Sequence, residues 1–394
     1  MVLDINVTST CNLGCKYCSE GHNPEMPDKS IIENSKTDVK TQNIIDFIDR
    51  VFEKNPNEHI HIAFWGGEPM MNLNYCIDLM LFFKDKKNVE FFFYTNGTYI
   101  EKNLEKLKNI DSLLGENNGQ RRMEIQISYD GKPINDIERL TKKGDITSDA
   151  VKNAYKIAKL NGLRVSLKST ISQKTFKYIY DSFIDIMSMG EETNYFPTPD
   201  SYSDYDEFTL EDDLNDLKIG LIKIAKYIYD NNLPADKFGW FRSTKALCQA
   251  GINYYGVNLD GTMSACHGLM YTDHQDHIIT NINEPDALEK LADASLKYTK
   301  LLGNMNDDCV GCDTLFCLKC PAGTYELPSN QLHAEFKINQ QNFNQPQNMY
   351  DMKWTTKNVN LCRVFKLSDV IYKPLLKALN QIPVISDKPS CKIK

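Results

Sequence analysis

The chain has 394 residues, 41% of them hydrophobic and 25% charged, with a formal net charge of −8 and a pI near 5.5. This is ordinary for a soluble globular protein with room for two domains, and it argues against a general nucleic-acid or membrane-surface binder. No uninterrupted apolar run reaches ~18 residues and no basic stretch leads into an apolar core at the N-terminus, so neither a membrane span nor a signal peptide is expected.

Residues 1–197 alternate between strand and helix patterns. Strands are predicted near 3–8, 59–64, 89–94, 123–128, 163–168 and 193–196, and helices near 41–54, 72–86, 101–109, 148–160 and 174–188. Val89-Glu90-Phe91-Phe92-Phe93-Tyr94 has the β-branched and aromatic content of a buried strand. Thr147-Ser148-Asp149 supplies N-cap residues for one helix, and Asn161-Gly162 stops it. Six βα units imply an α/β fold with an incomplete parallel barrel, TIM-like but with six strands; periodicity alone leaves an open doubly wound sheet as the alternative. Residues 198–240 read as an acidic linker, containing Asp200, Asp204, Asp206 and Glu207, and a bridging helix near 210–231. Residues 241–365 form a small cysteine-rich α+β segment, and 366–394 a closing helix and tail.

Twelve cysteines in a chain expected to be cytoplasmic point to metal rather than disulfides. Three of them, Cys11, Cys15 and Cys18, stand at C-x3-C-x2-C spacing directly after the first strand, where a barrel enzyme places chemistry. Three thiolates suit a cubane that keeps one iron open, whereas a closed zinc site wants a fourth ligand such as His22. The second strand runs into Gly66-Gly67-Glu68-Pro69. Glycines there permit close backbone approach, and exposed backbone oxygens or a carboxylate suit an ammonium group.

Together these two motifs resemble the signature of the radical SAM superfamily. The resemblance implies a [4Fe–4S] cluster on Cys11, Cys15 and Cys18, with Tyr17 the aromatic residue before the third cysteine. It implies S-adenosylmethionine on the open iron, its amino group met by Gly66, Gly67, Glu68 and Pro69. Thr95-Asn96-Gly97 and Ser128-Tyr129-Asp130-Gly131 resemble family segments facing the cofactor, which assigns Asn96, Ser128 and Asp130 to its ribose and methionine part. Arg139 is then expected at the cofactor carboxylate, with Lys168 a second cation. Turn chemistry would equally explain the Asn-Gly and Asp-Gly pairs.

Seven cysteines lie between residues 248 and 362. Twelve residues separate Cys248 from Gly261 and four separate Gly261 from Cys266, with Asn258 to Met263 reading as a hairpin. Cys309, Cys312, Cys317, Cys320 and Cys362 follow. The array resembles the SPASM extension of radical SAM enzymes, departing by one residue in two spacings; zinc in the same thiolates is the alternative. By resemblance, Cys248, Cys266 and Cys320 hold an inner auxiliary [4Fe–4S] cluster, and Cys309, Cys312, Cys317 and Cys362 an outer one, three clusters in all. The fourth site of the inner cluster falls to water, a non-cysteine residue, Cys391 or substrate.

Relatives with this extension mostly modify peptides or proteins, so the resemblance implies oxidative modification of a peptide side chain, such as a thioether or carbon–carbon link. A low-potential electron donor such as flavodoxin or ferredoxin is implied as partner. Oxidation or rearrangement of a small molecule is the second reading, and a non-catalytic metal or electron carrier the third. Sulfatase-maturing relatives carry a basic Asp directly after the second inner-cluster cysteine. Here that position is His267, whose imidazole can accept a proton near neutral pH.

Overall fold

The structure is a computed structural model that describes residues 1–18, 39–190, 193–195, 197–199, 206, 208–239, 248–269 and 278–303, with the helical positions Val364, Leu367, Ile371, Pro374, Leu375 and Ala378. In chain order the elements are β1 (Val2–Thr8), α1 (Thr41–Lys54), β2 (Ile60–Gly66), a 3-10 turn (Pro69–Asn72) entering α2 (Leu73–Phe82), β3 (Val89–Thr95) and α3 (Ile100–Leu114). A small hairpin of β4 (Glu116–Asn117) and β5 (Gln120–Arg121) follows, then β6 (Met123–Ser128), α4 (Lys132–Glu138), α5 (Ser148–Leu160) and β7 (Arg164–Ile171). The later elements are α6 (Ile179–Met187), β8 (Pro197–Pro199), α7 (Leu210–Asp230), β9 (Tyr254–Val257), β10 (Thr262–Ser264), β11 (Ile278–Asn281) and α8 (Ala287–Gly303). Two compact units result: Met1–Lys168 with Gln249–Lys300, and Ser169–Cys248 with Leu301–Lys394.

In the first unit, β1, β2, β3, β6 and β7 are parallel neighbours in that order. Their period-two pattern separates two faces. Leu3, Ile5 and Val7, Ile60, Ile62 and Phe64, Val89, Phe91 and Phe93, and Met123, Ile125 and Ile127 are at most 2% exposed. Helices α1, α2, α3 and α5 pack in succession on one another. Their apolar stripes, such as Ile44, Phe47, Ile48 and Val51 of α1, are buried. The register puts a different set on the opposite face: Asp4, Asn6 and Thr8, Ala63 and Trp65, Phe92 and Tyr94, Glu124, Gln126 and Ser128, then Ser166 and Lys168. β3, expected as a wholly buried strand, therefore alternates.

The first five strands and the helices near 41–54 and 148–160 lie where the sequence places them. The hairpin at Asn258 also forms, with Gly261 at φ +85°. The sequence sets residues 241–365 apart, but β9 pairs parallel with β1 on its other edge, and β10 and β11 continue antiparallel beyond it. Helix α4 was not anticipated; it is only two turns long, with a proline in its first turn. The helix expected at 72–86 ends at Phe82, because the carbonyls that follow turn towards the Arg122 guanidinium.

In the second unit, Ser169–Ile171 pair parallel with β8. The sixth strand thus falls at 197–199, not 193–196. Prolines at both its ends cannot donate to a ladder, which keeps it short. Tyr195 instead bridges to Phe238, its N–H donating to Lys237 O at 2.8 Å. Among the described residues, no helix is long and apolar enough to cross a membrane.

Candidate active site

The three-cysteine loop leaves the C-terminal end of β1 and is gripped from two sides. On one side, Gly67 N–H donates to Thr8 O (2.8 Å) and Glu68 N–H to Thr10 O (2.9 Å). The glycines are required by this grip. A Cβ on Gly66, whose φ is +124°, would stand 2.3 Å from Thr8 O, and one on Gly67 would stand 2.4 Å from Thr10 O. The close approach they permit is to the cysteine loop's own backbone. On the other side, Gly14 N–H donates to Leu140 O and Lys16 N–H to Glu138 O, both at 2.9 Å, and Leu13 bridges Thr141.

Glu68 is fully buried, and both its carboxylate oxygens are engaged within the protein. One accepts from Met70 N–H (3.0 Å) and the Thr95 hydroxyl (2.7 Å), the other from Asn96 N–H (2.8 Å). Burial raises its pKa and these hydrogen bonds oppose the rise. Pro69, also buried, starts the 3-10 turn. The Glu68 side chain thus ties the end of β2 to the end of β3. Asn96 Nδ2 in turn donates to Asn12 Oδ1 (2.9 Å) and lies 3.9 Å from Cys11 Sγ, while its Oδ1 accepts from Thr98 N–H and hydroxyl. Asn12 Nδ2 donates to Thr98 Oγ1 at 2.9 Å. Asn12 and Thr98 escaped the sequence analysis; their only signal is that each adjoins a motif.

Asp130 and Arg139 meet each other. Asp130 Oδ2 accepts from Arg139 Nε (3.0 Å) and the Tyr17 hydroxyl (2.5 Å), and the guanidinium carbon lies 5.3 Å from the Tyr17 ring centre. Arg139 Nη1 reaches to 3.9 Å from Cys15 Sγ. Ser128, at the C-terminal end of β6, is the cross-strand partner of Lys168 within β7.

Cys11, Cys15 and Cys18 form no disulfide among the described residues. Burial, then the Glu68 charge, pushes Cys11 up to about 12, so its thiolate needs a cation beside it. Among the described residues, no three His, Cys, Asp or Glu side chains close around a single ion. A cubane asks for a looser set, because each thiolate binds a different iron. Leu13 N–H, 3.5 Å from Cys11 Sγ, and Arg139 beside Cys15 supply the donors that ligand sulfurs accept from. The donor set fits an iron–sulfur cluster.

A second constellation occupies the polar face of β1, β2, β3 and β9. His267 Nδ1 lies 2.6 Å from Oδ2 of the fully buried Asp4, and the Tyr254 hydroxyl contacts both. The imidazole packs on Trp65, ring centres 4.4 Å apart, with Tyr94 beyond. With Nδ1 held by Asp4, Nε2 is the nitrogen left for other partners. Asp4, Trp65, Tyr94 and Tyr254 were not singled out from sequence, although a charged residue inside an apolar strand is a usable signal. Cys266 is buried just before His267 in the first unit, and Cys248 ends the first stretch of the second. Cys309, Cys312, Cys317, Cys320, Cys362 and Cys391 lie outside the described residues.

Residues 5–172 match the family model of the radical SAM superfamily. Among curated proteins, the chain is 29% identical over 251 residues to the uncharacterized protein MJ0907 of Methanocaldococcus jannaschii, a match covering 61% of this chain and 78% of that one. It is 23% identical over 342 residues to the radical SAM cyclopropyl synthase TigE of Paramaledivibacter caminithermalis, covering 79% of this chain and 66%, just under two thirds, of that enzyme. Among solved structures, native anSMEcpe with bound AdoMet and Cp18Cys peptide superposes with a TM-score of 0.66 at 16% identity, covering 97% of this chain and 99% of that one. Histidine-tagged anSMEcpe with bound AdoMet gives 0.69 at the same identity, covering 97% and 95%. At that identity the likeness is one of fold. Residues 5–172 form a radical SAM superfamily domain, and the chain is a radical SAM enzyme.

Proposed function

We propose that this enzyme oxidatively modifies a peptide or protein side chain. The observation that carries the reading is the placement of His267, held by Asp4 and Tyr254 on the same polar sheet face that leads to the cysteine loop. A neighbour of the same fold, anSMEcpe, holds a peptide together with AdoMet. The matched cyclopropyl synthase is compatible with the same broad chemistry.

Cys11, Cys15 and Cys18 would hold the [4Fe–4S] cluster. When bound, the cluster and S-adenosylmethionine would supply radical chemistry able to take a hydrogen atom from substrate, given an electron from a donor such as flavodoxin or ferredoxin. The chain's own residues divide the remaining work. Gly66, Gly67, Glu68 and Pro69 brace the loop and the strand ends, leaving backbone oxygens of this segment to meet an ammonium group. Asn96 orients Asn12 beside Cys11. Tyr17, Asp130 and Arg139 buttress Cys15, and Ser128 and Lys168 would face the cofactor's hydroxyls and carboxylate. His267 Nε2 is the proton acceptor for the substrate.

The cysteine-rich half adds two auxiliary clusters in this reading, Cys248, Cys266 and Cys320 holding one and Cys309, Cys312, Cys317 and Cys362 the other, within a SPASM domain at 241–365. The anaerobically reconstituted protein should then bind about twelve iron atoms, four for each of three cubanes. Stoichiometric zinc with only about four iron atoms would refute the auxiliary clusters. The function is tested by incubation with dithionite, S-adenosylmethionine and the peptides encoded beside the gene, read by mass spectrometry. A loss of hydrogen from one peptide, matched by 5′-deoxyadenosine, is the expected result. Cofactor cleavage coupled to turnover of a small molecule, with every peptide unchanged, would replace the reading.

A further inference from the structure

We infer that the buried Asp130–Arg139 pair sets the reduction potential of the cluster held by Cys11, Cys15 and Cys18, an inference that rests on the cluster assignment above. Asp130 is fully buried and the Arg139 side chain is 11% exposed. The guanidinium divides its donors between the Asp130 carboxylate at 3.0 Å and Cys15 Sγ at 3.9 Å. Two of its three nitrogens are turned to groups within the chain, Nε to the Asp130 carboxylate and Nη1 to the Cys15 sulfur. Glu138 also acts on Cys15, and Glu68 on Cys11, both with negative charge. Arg139 is the positive charge acting on Cys15 among these groups.

One-electron reduction adds a negative charge to a group already ligated by thiolates. In a buried site that step is favoured by a cation or an N–H donor at a ligand sulfur and opposed by a carboxylate. Asp130 and Arg139 work against each other, and the Tyr17 hydroxyl, donating to Asp130 at 2.5 Å, offsets part of the carboxylate's charge. The arrangement therefore predicts shifts of opposite sign for changes only a few ångströms apart. A brace that merely held the loop would give no such pattern.

The test is an EPR-monitored redox titration of the reconstituted holoenzyme without substrate, following the signal that is lost when Cys11, Cys15 and Cys18 are all replaced by Ala. Asp130→Asn leaves the Arg139 charge uncompensated. The ratio of reduced to oxidised cluster at a fixed potential should rise about tenfold, equivalent to about 59 mV for a one-electron couple. Adding Arg139→Gln to that variant should reverse the rise. Tyr17→Phe, which removes one hydroxyl and keeps both charges, should lower the ratio and covers the case in which Asp130→Asn fails to fold. Unchanged ratios, or shifts of one sign in all three variants, would overturn the inference. So would loss of the loop's iron from the double variant with native circular dichroism, since the pair would then only brace the loop. If the wild type itself takes no cluster on these cysteines, the reading beneath fails instead.

Discussion

Gly67→Ala is expected to eliminate cofactor cleavage while leaving all three loop cysteines in place. The added Cβ would stand 2.4 Å from Thr10 O, 2.6 Å from Thr10 C and 2.7 Å from Ser9 O. Every one of these atoms is backbone, so no side chain can swing away to make room. Relief requires moving either the end of β2, anchored by the buried Glu68 carboxylate, or the segment that delivers Cys11 one residue later. Misplacing reacting groups by about 1 Å typically costs on the order of 100-fold in rate. Production of 5′-deoxyadenosine should therefore fall at least about 100-fold, towards the level of the triple Cys11, Cys15 and Cys18 to Ala control. The iron lost should be that of one cubane.

Gly119→Ala is the matched control. Gly119 has φ +76° in the β4–β5 hairpin, but its Cβ would meet nothing within 4 Å. It should lose only about 1 kcal/mol of stability from left-handed strain and keep its chemistry. Wild-type iron content and cleavage in Gly67→Ala would mean that the loop can shift freely, and the role given to the Gly-Gly-Glu segment would fall.

Local periodicity made the strand and helix order of the first half legible, because each parallel strand carries its own buried face. It could not reveal that β9 joins β1, since nothing in Tyr254–Val257 specifies a partner about 250 residues away. The site was legible as residue types at fixed spacing: Cys11, Cys15 and Cys18 with Gly66-Gly67-Glu68-Pro69. What those residues touch was not. Glu68 reads as a ligand for an ammonium group and is buried on Thr95 and Asn96. Arg139 reads as a ligand for a carboxylate and finds one within the chain, Asp130. A side chain's partner depends on packing between segments far apart in sequence, and a motif records only the residue. Asp4 went unremarked for the converse reason: its meaning comes from Tyr254 and His267, which reach it only once β9 lies beside β1.

Arg122→Met is expected to be the most destabilising single change that leaves the chemistry untouched. Arg122 sits at the N-terminal end of β6, opposite the strand ends that carry the cysteine loop, and is 1% exposed. Its guanidinium donates to five carbonyls: Val89 (3.0 Å from Nε and 2.8 Å from Nη2), Leu114 (3.0 Å), Phe83 (3.0 Å), Lys86 (2.5 Å) and Lys84. It thereby closes the end of α3 and the turn that follows α2, where carbonyls would otherwise be buried without donors. Burial lowers its pKa, yet an arginine this close to five oxygens stays charged. Methionine fills much of the volume and donates nothing. Each buried carbonyl left unsatisfied costs about 1–3 kcal/mol, and since some will reach water the total should be about 3–5 kcal/mol. At roughly 2–4 °C per kcal/mol for a unit of this size, the melting temperature should fall by about 10 °C. Arg121→Ala, next in sequence, removes contacts from a partly exposed side chain to the buried Asp111 (3.4 Å) and the exposed Glu116 (3.6 Å), unpairs no cluster of carbonyls, and should cost less, about 1–2 kcal/mol. Thermal melts by circular dichroism compare the two, with cofactor cleavage per bound cluster measured well below the transition as the check on chemistry. Equal melting temperatures for Arg122→Met and wild type would show that water reaches these carbonyls. Reduced cleavage in a fully folded Arg122→Met would show that the turn after α2 is coupled to the cysteine loop through the length of β3, which the packing gives no reason to expect.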